Sequence, residues 1–184
     1  ISRPAPLLDQ HRAEILAELA DRPPRQASAN GGSQATVPKA GAPMLEGVRL
    51  ADATRVFVGP IGTMFLGFYG AEVIKVESAG LADNKDPKNP MFPDLNRNKL
   101  SCTIDLRPPE GKELMGRLVA VSDILVDNFS AGVMERLSLG YEEMRRIKPD
   151  IIQIGMPGLG STGPLGWWVA YGNLLQAYTG LTFL

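Results

Sequence analysis

Residues suited to binding an anion occur where several predicted strands end. Arg107 offers a guanidinium, Asn128 offers a side-chain amide, and the glycine-rich stretch 155–164 offers backbone N–H groups. Such groups hold phosphates in many proteins. Glycine-rich loops are also ordinary turns, so they do not by themselves distinguish a phosphate site from a simple connection. A phosphate-bearing ligand is therefore a hypothesis that depends on the fold bringing these loops together.

Other residue types give weaker indications, and we expect no metal site. His11 is the one histidine, so neither a catalytic triad nor a histidine-based metal site is available, and we interpret it as a surface residue. Asp83, Asp86 and Asp94 are spaced too irregularly for a calcium loop or an acid–base pair. Cys102 lies inside a predicted strand, where a thiol is usually a small buried hydrophobe.

Composition narrows the class of protein. The 184 residues suffice for one domain, and 19 Lys and Arg against 20 Asp and Glu give no basic field for a nucleic acid. The single cysteine cannot form an internal disulfide, which favours a reducing compartment, here taken as the cytoplasm. Because no apolar run approaches the roughly 20 residues of a spanning helix and no secretion signal is visible, we expect neither membrane contact nor export.

Three segments of different composition divide the chain. Residues 1–20 contain an amphipathic helix at 9–19, with apolar residues on one face. Residues 21–44 are rich in Pro, Ala, Ser and Gly, which predicts a flexible linker. Residues 45–184 alternate strand-like and helix-like runs, which is typical of an α/β fold with a Rossmann-like parallel sheet and covering helices.

The α/β segment has five predicted strands. They are placed at 48–51, 72–77, 100–106, 124–126 and 151–154, the last of them as a buried strand. Predicted helices cover 61–69, 108–121 and 133–147, the third interrupted near Gly140. Ligands of open α/β sheets bind outside the carboxyl ends of strands, so we expect the site in the loops that follow them. These loops are 53–60, 78–98, 107–108, 128–132 and 155–164.

A series of ordered blocks gives residues 45–184 a resemblance to the family III CoA-transferases. Among them are Gly-Ala-Glu-Val-Ile-Lys-Val-Glu at 70–77, Ile-Asp-Leu-Arg at 104–107, and Gly-Leu-Gly-Ser-Thr-Gly-Pro at 158–164. Further blocks lie at 47–52, 59–60, 96–99, 109–112, 127–129 and 132–136. The order and spacing of the blocks carry the resemblance, since no single block is decisive.

The resemblance implies a coenzyme A thioester, with no metal, bound at the strand ends of the large domain of an interlocked homodimer or a fused pseudo-dimer. The family's small domain and its returning carboxyl-terminal segment have no counterpart here, so the resemblance implies an incomplete fold. The positions that it implies as coenzyme-contacting are Val58, Ile104, Asp105, Leu106, Arg107, Asn128, Phe129, Ser130, Arg136, Gly158 and Leu159.

The reaction implied by the resemblance is transfer of coenzyme A between an acyl-CoA and a carboxylic acid acceptor. An aspartate attacks the thioester to give an anhydride and a thiolate, which then returns to the enzyme carboxylate. In the family pattern this aspartate follows the segment 171–181, and no aspartate follows Asp150 here. We therefore expect the catalytic residue beyond Leu184 and no activity from this piece alone. Residues 1–20 resemble the closing segment of the same family, which suggests a tandem fusion.

Several alternatives remain open. The module could be an inactive scaffold half of a CoA-transferase, or a racemase, isomerase or lyase of the same family. Tyr171-Gly172 stands where the family's racemases carry a His-Asp pair, which weakens the racemase hypothesis. Phe57, Ser78 and Pro157 stand where some members carry Gln, Arg and Lys, so the acyl substrate is undetermined. A dinucleotide-binding module is disfavoured because the first strand lacks a G-x-G-x-x-G turn.

Overall fold

The computed structural model describes residues 3–21, 23, 41–78 and 91–183. Most of the predicted linker, and Asp83 and Asp86 of the polar loop, lie outside these residues. In the described part, five parallel strands form one sheet in the order β3-β2-β1-β4-β5, which confirms the α/β prediction. The strands are β1 (Arg49–Asp52), β2 (Glu72–Glu77), β3 (Lys99–Thr103), β4 (Ile124–Asp127) and β5 (Ile152–Gly155).

Seven α-helices occur in the same ranges. The predicted helices at 61–69, 108–121 and 133–147 are present, and the last is divided before Gly140 into two, as expected. Gly70, with φ of 103°, ends the first of them in a conformation that favours glycine. The helices are α1 (Arg12–Asp21), α2 (Val58–Phe68), α3 (Met91–Leu95), α4 (Pro109–Ala120), α5 (Val133–Arg136), α6 (Tyr141–Ile147) and α7 (Gly172–Tyr178). None of the helices in the described ranges has the length and apolar character to cross a membrane.

The two faces of the sheet are covered unequally. Successive strand residues point to opposite faces. Ala51 and Ile74 therefore join a large buried cluster with residues of α1, α4, α5 and α6. Leu50 and Val73 belong to a much smaller cluster on the other face, where Leu66 of α2 packs.

Strand β5 differs from its sequence-based prediction. Ile151 is buried, but Ile152 and Ile154 are 56% and 39% exposed, so the expectation of a buried strand at 151–154 is wrong. The physical reason is missing cover, because among the described elements β4 alone packs broadly on β5 and no helix packs broadly on its faces. No residue of α7 is buried, and residues 151–184 carry no charged side chain. This end of the described fold therefore presents an apolar surface.

The first described segment shares the core of the sheet. Ile15 and Leu19 of α1 are buried in the larger cluster at 2% and 6% exposure. Glu18 pairs with Arg49 of β1 at 2.8 Å, and Arg117 of α4 donates to the Leu19 carbonyl at 2.7 Å. An isolated helix of this length is marginal in water. Its packing on the sheet therefore stabilises α1.

Candidate functional site at the carboxyl edge of the sheet

The loops predicted to hold the site all begin at the same edge of the sheet, the carboxyl edge, because the five strands are parallel. From β1 the chain builds outward to β2 and β3 on one side, and β4 and β5 lie on the other side of β1. A crevice at such a reversal, between the loops after β1 and β4, is where open α/β sheets bind ligands. The side chains in these two loops therefore define the centre of the candidate site.

Asn128 fastens the loop after β4 to the loop after β1. Its Oδ1 accepts a hydrogen bond from the Arg55 N–H and its Nδ2 donates to the Arg55 carbonyl, both at 2.7 Å. The Arg55 guanidinium lies 5.3 Å from the centre of the Phe129 ring, within cation–π range. A Cβ on Gly59 would approach Thr54 Cβ to 2.5 Å, so glycine permits this close approach of α2. Asn128 thus shapes the crevice, and its contact with a coenzyme stays a prediction.

The loop after β3 begins earlier than predicted. The strand ends at Thr103, so residues 104–106 belong to the loop and not to a strand of 100–106. Ile104 is buried and donates its N–H to the Glu77 carbonyl at 2.9 Å, and Leu106 packs against the core. A Cβ on Gly111 would lie 1.7 Å from the Asp105 carbonyl oxygen. The loop is therefore folded tightly over the first turn of α4.

Arg107 is the exposed cation of this loop. Its side chain folds back on Asp105, with Nε to Oδ1 at 3.0 Å and Nη2 to Oδ2 at 2.8 Å. These hydrogen bonds lower the pKa of Asp105 and raise the pKa of Arg107. Because the Arg107 side chain is 77% exposed, it is accessible to a ligand anion.

The remaining predicted positions lie around the same edge. Val58 is exposed at the first residue of α2, and Ser130 is half-buried after β4. Arg136 is exposed on α5, with Nη1 3.1 Å from where a Cβ on Gly132 would lie. Gly158 and Leu159 follow β5, with Gly158 packed closely on Ala170. In the described part, contacts join Arg55 with Asn128 and Phe129 and join Asp105 with Arg107, and the other predicted positions lie around the same edge on loops or helices.

A buried ionic cluster beneath the first loop escaped the sequence reasoning. Lys99 and Asp52 are fully buried and pair at 3.0 Å. The Lys99 Nζ also lies 2.8 Å from Thr63 Oγ1, and 3.0 Å from both the Pro60 carbonyl and Asn96 Oδ1. The cluster thereby ties the end of β1, the first turns of α2 and the start of β3 together. The sequence did contain a signal for this cluster, because each of three otherwise apolar strand patterns includes a charged residue.

Opposing effects set the ionisation of this pair. Burial alone would raise the pKa of Asp52, but Lys75, Lys99 and hydrogen bonds from Thr54 and Thr63 outweigh it and hold the pKa at about 2. Burial lowers the pKa of Lys99 to about 8, although Asp52 opposes that shift. Asp52 is therefore ionised at neutral pH, and its charge requires the lysines.

Two other predicted features have clear positions. Cys102 is fully buried in β3, and burial raises its pKa to about 11, which suits a core thiol and not a nucleophile. His11 is half-buried, and its Nδ1 accepts a hydrogen bond from the Ser101 N–H at 3.1 Å, so this partly exposed residue has a structural contact that its interpretation as a surface residue did not include. Among the described residues, no group of three or more His, Cys, Asp and Glu side chains has the geometry of a metal site.

The fold is of the parallel α/β class, and solved structures of similar proteins share it. The family model described as CoA-transferase family III matches residues 45–184. Succinyl-CoA:glutarate CoA-transferase of Mus musculus is 39% identical over 145 residues, covering 74% of this chain and 33% of the mouse protein. Acetyl-CoA:oxalate CoA-transferase of Acetobacter aceti is 35% identical over 143 residues, covering 74% of this chain and 37% of that protein.

Comparison with solved structures also finds similar proteins. The crystal structure of Rv3272 from M. tuberculosis superposes with a TM-score of 0.69 at 34% identity, covering 74% of this chain and 38% of that one. The chain belongs to CoA-transferase family III. It spans about a third of the length of the curated relatives that it matches.

Proposed function

We propose that this chain supplies the coenzyme-A-binding half of an enzyme that transfers coenzyme A between carboxylic acids. The acyl-CoA donates its coenzyme through an aspartyl anhydride and an enzyme-bound thioester to an acceptor acid, with no need for a metal. Two relatives are named for transfer between succinyl-CoA and glutarate and between acetyl-CoA and oxalate, which favours a carboxylic acid acceptor.

The observation that supports the proposal is that the predicted coenzyme-contacting positions lie around the carboxyl edge of the sheet. Arg107 presents an exposed cation after β3, and Asn128 with Phe129 lines the crevice between the loops after β1 and β4. Phosphates are held by such exposed guanidinium groups, and an aromatic ring farther along the same edge suits a purine. The arrangement supports a ligand that extends along this edge.

We place the nucleophilic aspartate outside residues 1–184, so that this piece binds coenzyme without catalysing transfer. Support comes from the absence of any aspartate after Asp150. The alternatives are an inactive scaffold half, or a racemase, isomerase or lyase of the same family. All of these alternatives share the proposed coenzyme site. Coenzyme A transfer assays of a protein that contains both this chain and the nucleophilic aspartate, with that aspartate intact or replaced, distinguish a transferase from the alternatives.

We further propose that the apolar surfaces of this chain are covered in an interlocked homodimer or a fused pseudo-dimer. Phe65 on α2, Ile152 on β5 and Tyr178 on α7 are all exposed in the described chain. Large exposed apolar side chains that gather into patches mark interaction surfaces on proteins. We place the enzyme in the cytoplasm, because the single cysteine is a buried free thiol.

Arg107→Ala is expected to raise the dissociation constant for coenzyme A about tenfold or more, because a hydrogen bond to a charged group contributes about 1.5–3 kcal/mol. Isothermal titration calorimetry of the chain with coenzyme A measures the effect. Arg146→Ala, on the exposed end of α6 away from the carboxyl edge, is the matched control and should change the constant less than about twofold. Equal effects of the two variants, or equal binding of NAD, would contradict the proposal.

A further inference from the structure

Residues 9–12, here called the edge clasp, occupy the open side of β3. This strand is at the edge of the sheet, with β2 as its one strand neighbour. Ser101 and Thr103 direct their backbone N–H and C=O groups away from β2, where an unprotected strand would expose them. An exposed edge of this kind invites pairing with other chains. The edge clasp is therefore the part of the chain that closes the sheet on this side.

The edge clasp satisfies all four of these backbone groups. His11 Nδ1 accepts from the Ser101 N–H at 3.1 Å, and the His11 N–H donates to the Ser101 carbonyl at 3.0 Å. Asp9 Oδ1 accepts from the Thr103 N–H at 2.6 Å, and Arg12 Nη1 donates to the Thr103 carbonyl. Three side chains thus replace most of the bonds that an added strand would make. Each bond to an ionised side chain is stronger than a bond between neutral groups.

The edge clasp is itself held at both ends. The Asp9 N–H donates to Ser101 Oγ at 3.1 Å, and that hydroxyl donates to Glu77 Oε2 at 2.6 Å. Asp9 has φ of 62°, a left-handed conformation that Asp, Asn and Gly adopt more readily than other residues. On the other side, α1 anchors the edge clasp through its buried Ile15. The edge clasp is thus fixed relative to the sheet.

Thr103 connects the edge clasp to the candidate site. It is the last residue of β3 and directly precedes the loop at 104–107, which carries Arg107. That loop is fixed at its far end by the close contact of Gly111 with the Asp105 carbonyl. At its near end, the edge clasp bonds both backbone groups of Thr103. The family match begins at residue 45, so these contacts come from outside it.

We propose that Asp9 and Arg12 are positioning residues, which set the loop at 104–107 in the conformation that receives the phosphates of coenzyme A. The ligand named here rests on the proposed function, whereas the positioning of the loop does not. Residues 3–21 then belong to the working coenzyme site, even though they precede the matched region. Loss of the edge clasp frees the loop and weakens binding without removing any group that touches the ligand.

The test compares Asp9→Gly with Asp9→Asn in the 184-residue chain. Glycine keeps the left-handed backbone but removes the acceptor, whereas asparagine keeps both. Asp9→Gly is expected to raise the dissociation constant for coenzyme A about fivefold, which corresponds to one hydrogen bond of about 1 kcal/mol. It should also speed amide hydrogen exchange at Leu106 and Arg107 while exchange in β4 is unchanged. Asp9→Asn should restore both quantities to within about twofold of the parent.

A second variant and a control separate positioning from general stability. Arg12→Met removes the bond to the Thr103 carbonyl and should produce the same local exchange, whereas Glu14→Gln, on the exposed side of α1, should not. Unchanged exchange at 104–107 in Asp9→Gly and Arg12→Met would overturn the proposal, as would faster exchange throughout the sheet. If the parent chain binds no coenzyme A, the proposed function fails, and the exchange data still decide the role of the edge clasp.

Discussion

Lys99→Met is expected to lower the free energy of unfolding by about 3–5 kcal/mol, because it removes one of the two lysines that compensate the fully buried Asp52 carboxylate. Asp52 is fully buried and holds its negative charge at neutral pH through Lys75 and Lys99. Methionine has similar length and no charge, so the change tests electrostatics more than packing volume. Urea denaturation of parent and variant at pH 7 measures the difference.

The double variant Asp52→Asn/Lys99→Met identifies the cause. With both charges of the pair removed, no carboxylate is left buried without Lys99, so the double variant should be more stable than Lys99→Met alone. Lys112→Met, on the less buried surface of α4, is the matched control and should change stability by less than about 0.5 kcal/mol. A Lys99→Met loss no greater than that of the control would contradict the view that this pair fixes the first loop.

Asp127→Asn is expected to stabilise the protein at pH 8 by about 2–3 kcal/mol and to leave its stability near pH 4 almost unchanged. Burial raises the pKa of Asp127 from 3.8 to about 6, with Glu135 adding to the shift and a bond from the Phe129 N–H opposing it. An acid whose pKa is raised in the fold contributes stability below its unfolded pKa. That contribution is lost as the pH rises through about 6.

The expected signature is a difference between two pH profiles of stability. Asparagine keeps an oxygen for the Phe129 N–H, which Asp127 Oδ1 accepts at 3.1 Å, so the variant should lose only the titration. Thermal unfolding of parent and variant from pH 4 to pH 8 should show curves that separate between pH 4 and pH 7. Parallel curves would show that the Asp127 carboxyl ionises in the fold as readily as in the unfolded chain.

The sequence was sufficient to predict the sheet because local patterns encode it. The alternation at 72–77 gave β2 with its observed bounds, and the break near Gly140 separated α5 from α6. The strand at 151–154 was assigned correctly as a strand but wrongly as buried. Apolar character reports that a residue favours burial, and it does not report whether another element is present to cover it.

The site was predictable in part for a related reason. The ordered blocks included 104–107, which follows β3, and 127–129 and 132–136, which lie at and just beyond the end of β4. Neither the Lys99–Asp52 pair nor the edge clasp could be predicted from the sequence, because each depends on contacts between residues that are far apart along the chain. Asp9 and Thr103, for example, meet only when α1 packs on the sheet. Composition at 9–19 indicated a helix and carried no information about its partner.

Amide hydrogen exchange with and without coenzyme A tests most directly whether this edge is the coenzyme site. The expected result is slower exchange in the presence of coenzyme A at 53–58, 104–107 and 128–132, which follow β1, β3 and β4. Exchange at the amino edge, such as 122–124 before β4, should be unchanged, and NAD should protect neither edge. Protection confined to the amino edge, or tight binding without protection of these loops, would contradict the account.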